Sequence, residues 1–249
     1  MSPDQPSAEA FFRMAREAVD RVERTQLPEV RRAADLLAPR LFDGGVVHVF
    51  GTGHSRAFAM ELSSRAGGLV PFHAMALDDL ATKGSRPMED VLDPTLERDP
   101  AVARELLGLH DVRPEDAFVV VSNSGRNGST VEMAIAAGER GLPVVAVTSL
   151  EHTRAVTSRH PSGKRLFEVA DVVIDNAAPL GDAVIELGGG ARVCALSSVT
   201  GAVIAQALTA EIAGRYIDAG RVPPVLVSAN VEGADERNAM LREPYEGRI

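Results

Sequence analysis

Three short hydroxyl-rich stretches carry the chemistry this chain could perform. Gly51-Thr52-Gly53-His54-Ser55 follows the apolar run 46–50, Ser122-Asn123-Ser124-Gly125 follows 117–121, and Thr148-Ser149 follows 143–147. A β-branched apolar run that stops at a glycine turn and opens into helical spacing reads as a buried strand, a tight turn and a helix N-terminus. Such a turn aims free backbone N–H groups and the positive end of a helix dipole at one spot. Ser and Thr add hydroxyl donors there. An anion, above all a phosphate, is the natural occupant. The loops lack a Lys clamp, which suits a phosphate monoester better than a polyphosphate. The contacts this reading selects are Gly53, His54, Ser55, Ser122, Asn123, Ser124, Thr148 and Ser149. Many α/β proteins carry one glycine-rich turn that binds nothing, so the argument rests on three such ends falling at one sheet edge.

The elements that must position these loops alternate between strand and helix. Apolar runs at 46–50, 69–74, 117–121, 143–147 and 170–174 read as strands, with helical spacing at 56–66 and 131–140 between them. The fold class is therefore α/β, a doubly wound parallel five-stranded sheet with N-terminal helices. Residues 184–187 and 192–195 flank Gly188-Gly189-Gly190, the pattern of a small hairpin. A long helix is expected over 197–219 and a last one from Asp235. The stretch 77–116 is rich in Asp, Glu, Gly and Pro, and only Asp99-Pro100 announces a helix there. A loop of that length is commonly a lid or a binding loop. Before the first strand, 8–25 has helical spacing and Pro28 opens a second helix that ends at Gly44-Gly45. The division is 1–42 for the N-terminal helices and 43–249 for the ligand-binding domain. The helices' apolar load, Phe11 and Phe12 included, points to a contact between copies in a homodimer or homotetramer; packing on their own domain is the alternative.

Composition narrows the class. The chain has 249 residues, 45% hydrophobic, with a net charge of −9. That charge argues against a nucleic-acid backbone as partner, and two Tyr with no Trp argue against a base-stacking platform. The single cysteine, Cys194, excludes an internal disulfide and a cysteine zinc site, and fits a reducing compartment. No stretch is apolar enough to span a bilayer and the N-terminus lacks a signal-peptide pattern, so a cytoplasmic location without membrane contact is expected. Gly51-Thr52-Gly53 fails as a dinucleotide fingerprint, since Arg56 stands at the third glycine position. The six histidines show no pair at helical spacing, so no metal is expected, and no cofactor either.

The order VVHVFGTGHS, VVVSNSGRN, VVAVTS and ADVVIDN over about residues 40–220 resembles the sugar isomerase (SIS) domain family, whose sheet is flavodoxin-like. The match is strongest to an uncharacterised bacterial group of stand-alone SIS proteins, with phosphoheptose isomerases more distant. The resemblance implies a phosphorylated sugar as ligand, held by Ser55, Ser122 and Ser124. Where the family often has a further Ser or Thr, this chain has Asn127. It also implies a sugar-phosphate isomerase or related lyase working by general acid–base catalysis, or else a non-catalytic phosphosugar sensor. Glu61 is the first candidate base, on the helix after the phosphate turn; the other reading of Glu61 is an i,i+4 surface pair with Arg65. His54, in the turn itself, and His160, beside Lys164 in RHPSGKR, are the other acid–base candidates. For His160 a solvated loop is the alternative. Asp175, Asn176, Asp182 and Asn230 could bind sugar hydroxyls, and loop capping explains them equally well.

Overall fold

The computed structural model describes residues 5–249. The first element is a helix, α1 (Ala8–Phe42), followed by strand β1 (Val47–Gly51). The short α2 (Arg56–Leu62) and β2 (Phe72–Met75) come next. The acidic excursion contains α3 (Asp79–Thr82), α4 (Met88–Val91), a 3-10 turn (Leu96–Arg98) and α5 (Ala101–Gly108). Then follow β3 (Ala117–Val121), α6 (Gly128–Glu139), β4 (Val144–Thr148), α7 (Leu150–Arg154) and β5 (Val172–Asp175). A hairpin of β6 (Ala183–Gly188) and β7 (Ala191–Ala195) leads to α8 (Ser197–Asp218) and α9 (Ala234–Arg242).

Strands β1 to β5 form one parallel sheet in the order β2-β1-β3-β4-β5. Side chains alternate across it with period two. Val47 and Val49 of β1 face α1, α2 and α8, in a core with Leu37, Phe58, Val119 and Ile204. Phe50 faces the other layer, packed with Leu106, Phe118, Val120 and Met133 from α5, β3 and α6. Coverage on both faces explains why the strands read as continuous apolar runs. The order reverses between β1 and β3, and in doubly wound sheets the ligand crevice lies outside the strand ends at that switch.

Several expected boundaries moved. The two N-terminal helices are one helix of 35 residues, with Pro28 and Pro39 inside it. An interior proline removes a hydrogen bond and strains the turn before it, at about 3 kcal/mol. Here a single buried stripe, Val22, Val30, Ala33, Ala34, Leu37, Ala38 and Leu41, runs past Pro28 against the core and holds the helix together. Phe12 is 60% exposed. Strand β2 begins at Phe72 because Pro71 has no N–H to give the ladder; its carbonyl accepts Val47 N–H instead. Helix α2 stops at Leu62, where the Ser63 hydroxyl donates to the Ala59 carbonyl and Ser64 turns to φ 55°.

Candidate functional site

The sheet brings the first two hydroxyl loops together. Gly51 and Val121, the last residues of β1 and β3, are register partners. Above them lies a cavity of about 140 Å³ lined by His54, Ser55, Phe58, Glu61, Asn123, Asn176, Ser197 and Ser198. The turns approach closely by necessity. Gly53 and Gly125 take φ of 53° and 58°, a left-handed region open to glycine. A Cβ on Gly125 would also stand 2.9 Å from Thr153 Oγ1. The Ser55 and Ser124 hydroxyls have no hydrogen-bond partner among the described residues. The N-terminus of α8 supplies Ser197, Ser198 and Gly201 to the wall. Its first-turn N–H groups, together with those of the Gly53–Ser55 turn, favour negative charge in this cavity.

These geometric features have counterparts among known proteins. The SIS domain, as a sequence family, matches residues 10–149. A UPF0309 protein of Halalkalibacterium halodurans is 40% identical over 225 residues, 90% of this chain and 91% of that one. The chain belongs to the SIS domain family. The fold agrees: a phosphoheptose isomerase from Francisella tularensis superposes with a TM-score of 0.55 at 19% identity, covering 82% of this chain and 95% of the isomerase. The Vibrio vulnificus NanR protein, solved in complex with ManNAc-6P, has a TM-score of 0.51 at 15% identity and covers 98% of this chain and 70% of that one.

Within the SIS domain the expected contacts divide by role. His54, Ser55, Asn123 and Glu61 line the cavity. Ser122 stabilises the loop from below, its Oγ accepting from Gly125 N–H at 3.1 Å. Thr148 and Ser149 are fully buried. Thr148 Oγ1 donates to the Asn123 carbonyl at 3.3 Å. Ser149 caps α7, accepting from His152 N–H and donating to the Ala178 carbonyl at 2.5 Å. Both hydroxyls therefore hold the loop rather than face a ligand. Asn123 is oriented by Asn176, whose Nδ2 donates to its Oδ1 at 3.0 Å. His152 approaches Asn123 Nδ2 at 3.5 Å, and burial pushes its pKa down against the pull of Asp182. Asp182 itself accepts from Ser197 Oγ and N–H at the start of α8.

Glu61 has the expected surface partner and also a place on the cavity wall. It pairs with Arg65 one turn on, it accepts from Gln206 Nε2 of α8 at 3.0 Å, and it lines the cavity. His160 is not brought to that wall. Its Nε2 lies 2.6 Å from Glu132 Oε2 on α6, and Glu132 also pairs with Arg104. Asn127 accepts from Arg159 Nη1 at 2.9 Å and donates Nδ2–H to Glu97 Oε1 at 2.6 Å. The other Glu97 oxygen accepts from Thr52 Oγ1 at 2.5 Å, and the Glu97 carbonyl accepts from Ser129 Oγ at 2.8 Å. The acidic excursion is thus stapled to both loops. Under it a second cavity of about 400 Å³ is lined by Thr52, Gly53, Arg56, Asp78 and Glu97. Thr52, expected as a hydroxyl donor in the first turn, gives its hydrogen to Glu97, while Glu97, Ser197 and Ser198 were not singled out from sequence. The Ser-Ser pair opening a long helix was the available signal for the last two.

A second polar cluster lies at the opposite end of the strands and pairs two histidines that show no helical spacing. His48 and His73 are register partners on β1 and β2, with their Nδ1 atoms 3.1 Å apart. Helical spacing could not reveal a pair made across neighbouring strands. Asp116, wholly buried, accepts from His48 Nε2 at 3.0 Å, from the N–H groups of Val46 and Arg113, and from Arg248 at 2.7 and 2.9 Å. Donation from His48 Nε2 leaves His48 Nδ1 as the acceptor for His73 Nδ1–H, which fixes both tautomers. His110 stacks on His73, ring centroids 4.8 Å apart, with its Nε2 3.2 Å from Asp79 Oδ2. Burial, then the neighbouring His48, pushes His73 down to about 3. Burial also lowers His48, against Asp116. For Asp116 burial works upward, but the bonds from His48, Arg113, Val46 and Arg248 bring it down to about 2. Among the described residues no three His, Cys, Asp or Glu side chains are placed to hold a metal ion, and no helix is long and apolar enough to cross a membrane.

Proposed function

We propose that this SIS domain binds a phosphorylated sugar in the cavity lined by Ser55, Asn123 and Glu61, with Ser124 on the adjoining loop, and rearranges it by acid–base catalysis, as a sugar-phosphate isomerase or related lyase. The observation that carries the reading is the unpartnered Ser55 hydroxyl on the cavity wall with Glu61, beside a second glycine turn whose Ser124 hydroxyl is also unpartnered. The turns and the α8 N-terminus supply donors for a phosphate, and Glu61 can move a proton between neighbouring sugar carbons. The likeness in fold to a phosphoheptose isomerase supports this reaction class. The single cysteine and the small phosphorylated ligand suit the cytoplasm.

The test is a thermal-shift screen against sugar phosphates, calorimetry on the binders, and turnover assays. Each hydroxyl bond to a phosphate dianion contributes about 1.5–3 kcal/mol. Ser124→Ala should then weaken binding about ten- to a hundredfold without changing the melting temperature, because its hydroxyl supports nothing in the fold. Ser122→Ala should weaken binding and also loosen the loop through the lost Gly125 contact. The unphosphorylated sugar should bind weakly in all three proteins. Equal affinity of wild type and the double variant rejects the cradle. The NanR complex with ManNAc-6P favours a second reading, a sensor that binds without turnover; binders that are never converted would select it.

A further inference from the structure

Three guanidinium groups gather at the rim of the second loop. Arg126 directly follows Gly125. Arg159 reaches the same place from the segment after α7: its N–H donates to the Arg126 carbonyl at 2.8 Å and its Nη1 to Asn127 Oδ1 at 2.9 Å. Arg98 arrives from the acidic excursion, and its carbonyl packs so tightly on Gly128 that a Cβ there would stand 2.1 Å from it. Three separate chain segments thus deliver one cation each to the start of α6.

Their counter-charges are already engaged. None of the three arginines forms an ion pair among the described residues. Glu97 and Asp93 are acids beside them: the two Glu97 oxygens take Thr52 and Asn127, and Asp93 Oδ1 accepts from Thr95 N–H and Oγ1. Glu132 is held by Arg104 and His160. Arg126 Nε is buried with no partner, and its Nη2 has only the Thr157 hydroxyl at 3.5 Å. Desolvation, then the charges of Arg126 and Arg98, lower the pKa of Arg159 against the pull of Glu97, which places Arg159 within electrostatic reach of the other two. The chain carries a net charge of −9, and elsewhere arginines such as Arg86, Arg113 and Arg215 do find a carboxylate. A planar guanidinium presents paired donors that match an oxyanion, and several together hold one against competing water.

We propose that Arg98, Arg126 and Arg159 form an oxyanion site beside Asn127, distinct from the Ser55–Ser124 cradle. Its ligand is either free inorganic phosphate acting as an effector or the second anionic group of a doubly charged sugar ligand. The shared chemistry is a tetrahedral or carboxylate oxyanion held by guanidinium forks.

The test is calorimetry on the full chain with three probes: inorganic phosphate, fructose 6-phosphate and fructose 1,6-bisphosphate. The proteins are wild type, Ser124→Ala, the Arg126→Gln/Arg159→Gln double variant, and Arg98→Gln. The last is exposed at the surface and keeps the fold if the double variant does not. The expected result is a loss of tenfold or more in the arginine variants for inorganic phosphate, for the bisphosphate, or for both, steepening at low salt. A loss confined to inorganic phosphate identifies an effector site. A loss confined to the bisphosphate identifies recognition of the ligand's second group. Fructose 6-phosphate should respond to Ser124→Ala and not to the arginine changes. Unchanged affinities in the arginine variants, or no binding of either probe to wild type, overturn the proposal. So does an equal loss of fructose 6-phosphate in the serine and arginine variants, which would mean one site. Ser124→Ala sensitivity without arginine sensitivity overturns this site while leaving the cradle standing.

Discussion

Acid is the perturbation to which the buried histidine pair should answer most clearly. His48 and His73 sit in the core with their rings neutral, His73 with a pKa of about 3. In the unfolded chain both return to about 6.5. Below that value the unfolded state binds protons that the native state refuses. Stability from the neutral pair is therefore complete above pH 6.5 and is lost as pH falls from 6.5 toward 3. At pH 5, about 1.5 units below 6.5, the neutral His73 costs about 2 kcal/mol, and His48, lowered in the same direction, adds to that loss. That is a large share of the roughly 5–15 kcal/mol that stabilises a typical domain. Asp116, at about 2, stays ionised across this window and offsets nothing. Urea unfolding followed by circular dichroism at pH 7.5, 6.5, 5.5 and 5.0, at fixed ionic strength, reads the loss directly. His73→Gln keeps an amide opposite His48 Nδ1 and removes the His73 titration, so it should lose less than wild type, by about 2 kcal/mol at pH 5. Stability that stays flat from pH 7.5 to 5.0, or a variant with the full wild-type loss, refutes the reasoning.

Two further outcomes follow from the cavity and from α1. Once a converted substrate is known, Glu61→Gln should lower turnover by about 100-fold or more with little change in binding, measured as kcat against Kd; near wild-type turnover would leave Glu61 as the surface partner of Arg65 and Gln206. The exposed Phe12 is a candidate contact between copies, so light scattering should show a dimer or tetramer that Phe12→Glu weakens without unfolding the chain, and a micromolar wild-type monomer would reject the interface.

The sheet was legible because both its faces are covered. Runs such as Ala117–Val121 must be apolar throughout, and each ends at a loop whose glycines and hydroxyls stand out. The ends of β1 and β3 could therefore be placed together before any coordinates. Roles within the loops were less legible, since a serine that faces a ligand and one that caps a helix have the same sequence appearance; Ser124 and Ser149 differ only in what the fold packs beside them. The continuity of α1 across Pro28 was hidden for a related reason. Local propensity argues for a break, and the opposing force is a buried stripe seen only once α8 and the sheet are in place. His48 and His73 stand 25 residues apart and meet through parallel register alone.

The Asp116–Arg248 contact spans 132 residues of chain. All five strands of the main sheet lie before Asp175 in sequence, so they can pair during synthesis well before Arg248 leaves the ribosome. In that interval Asp116 already has its bonds from Val46, Arg113 and His48, yet its guanidinium partner does not exist in folded form. A nascent chain at that stage carries an ionised carboxylate against the core with nothing to neutralise it, which costs stability. The arrival of Arg248 is then a locking step. Until then, the sheet that holds Asp116 lacks the two bonds from Arg248, and it gains them only when a residue 132 positions further along has folded back onto it.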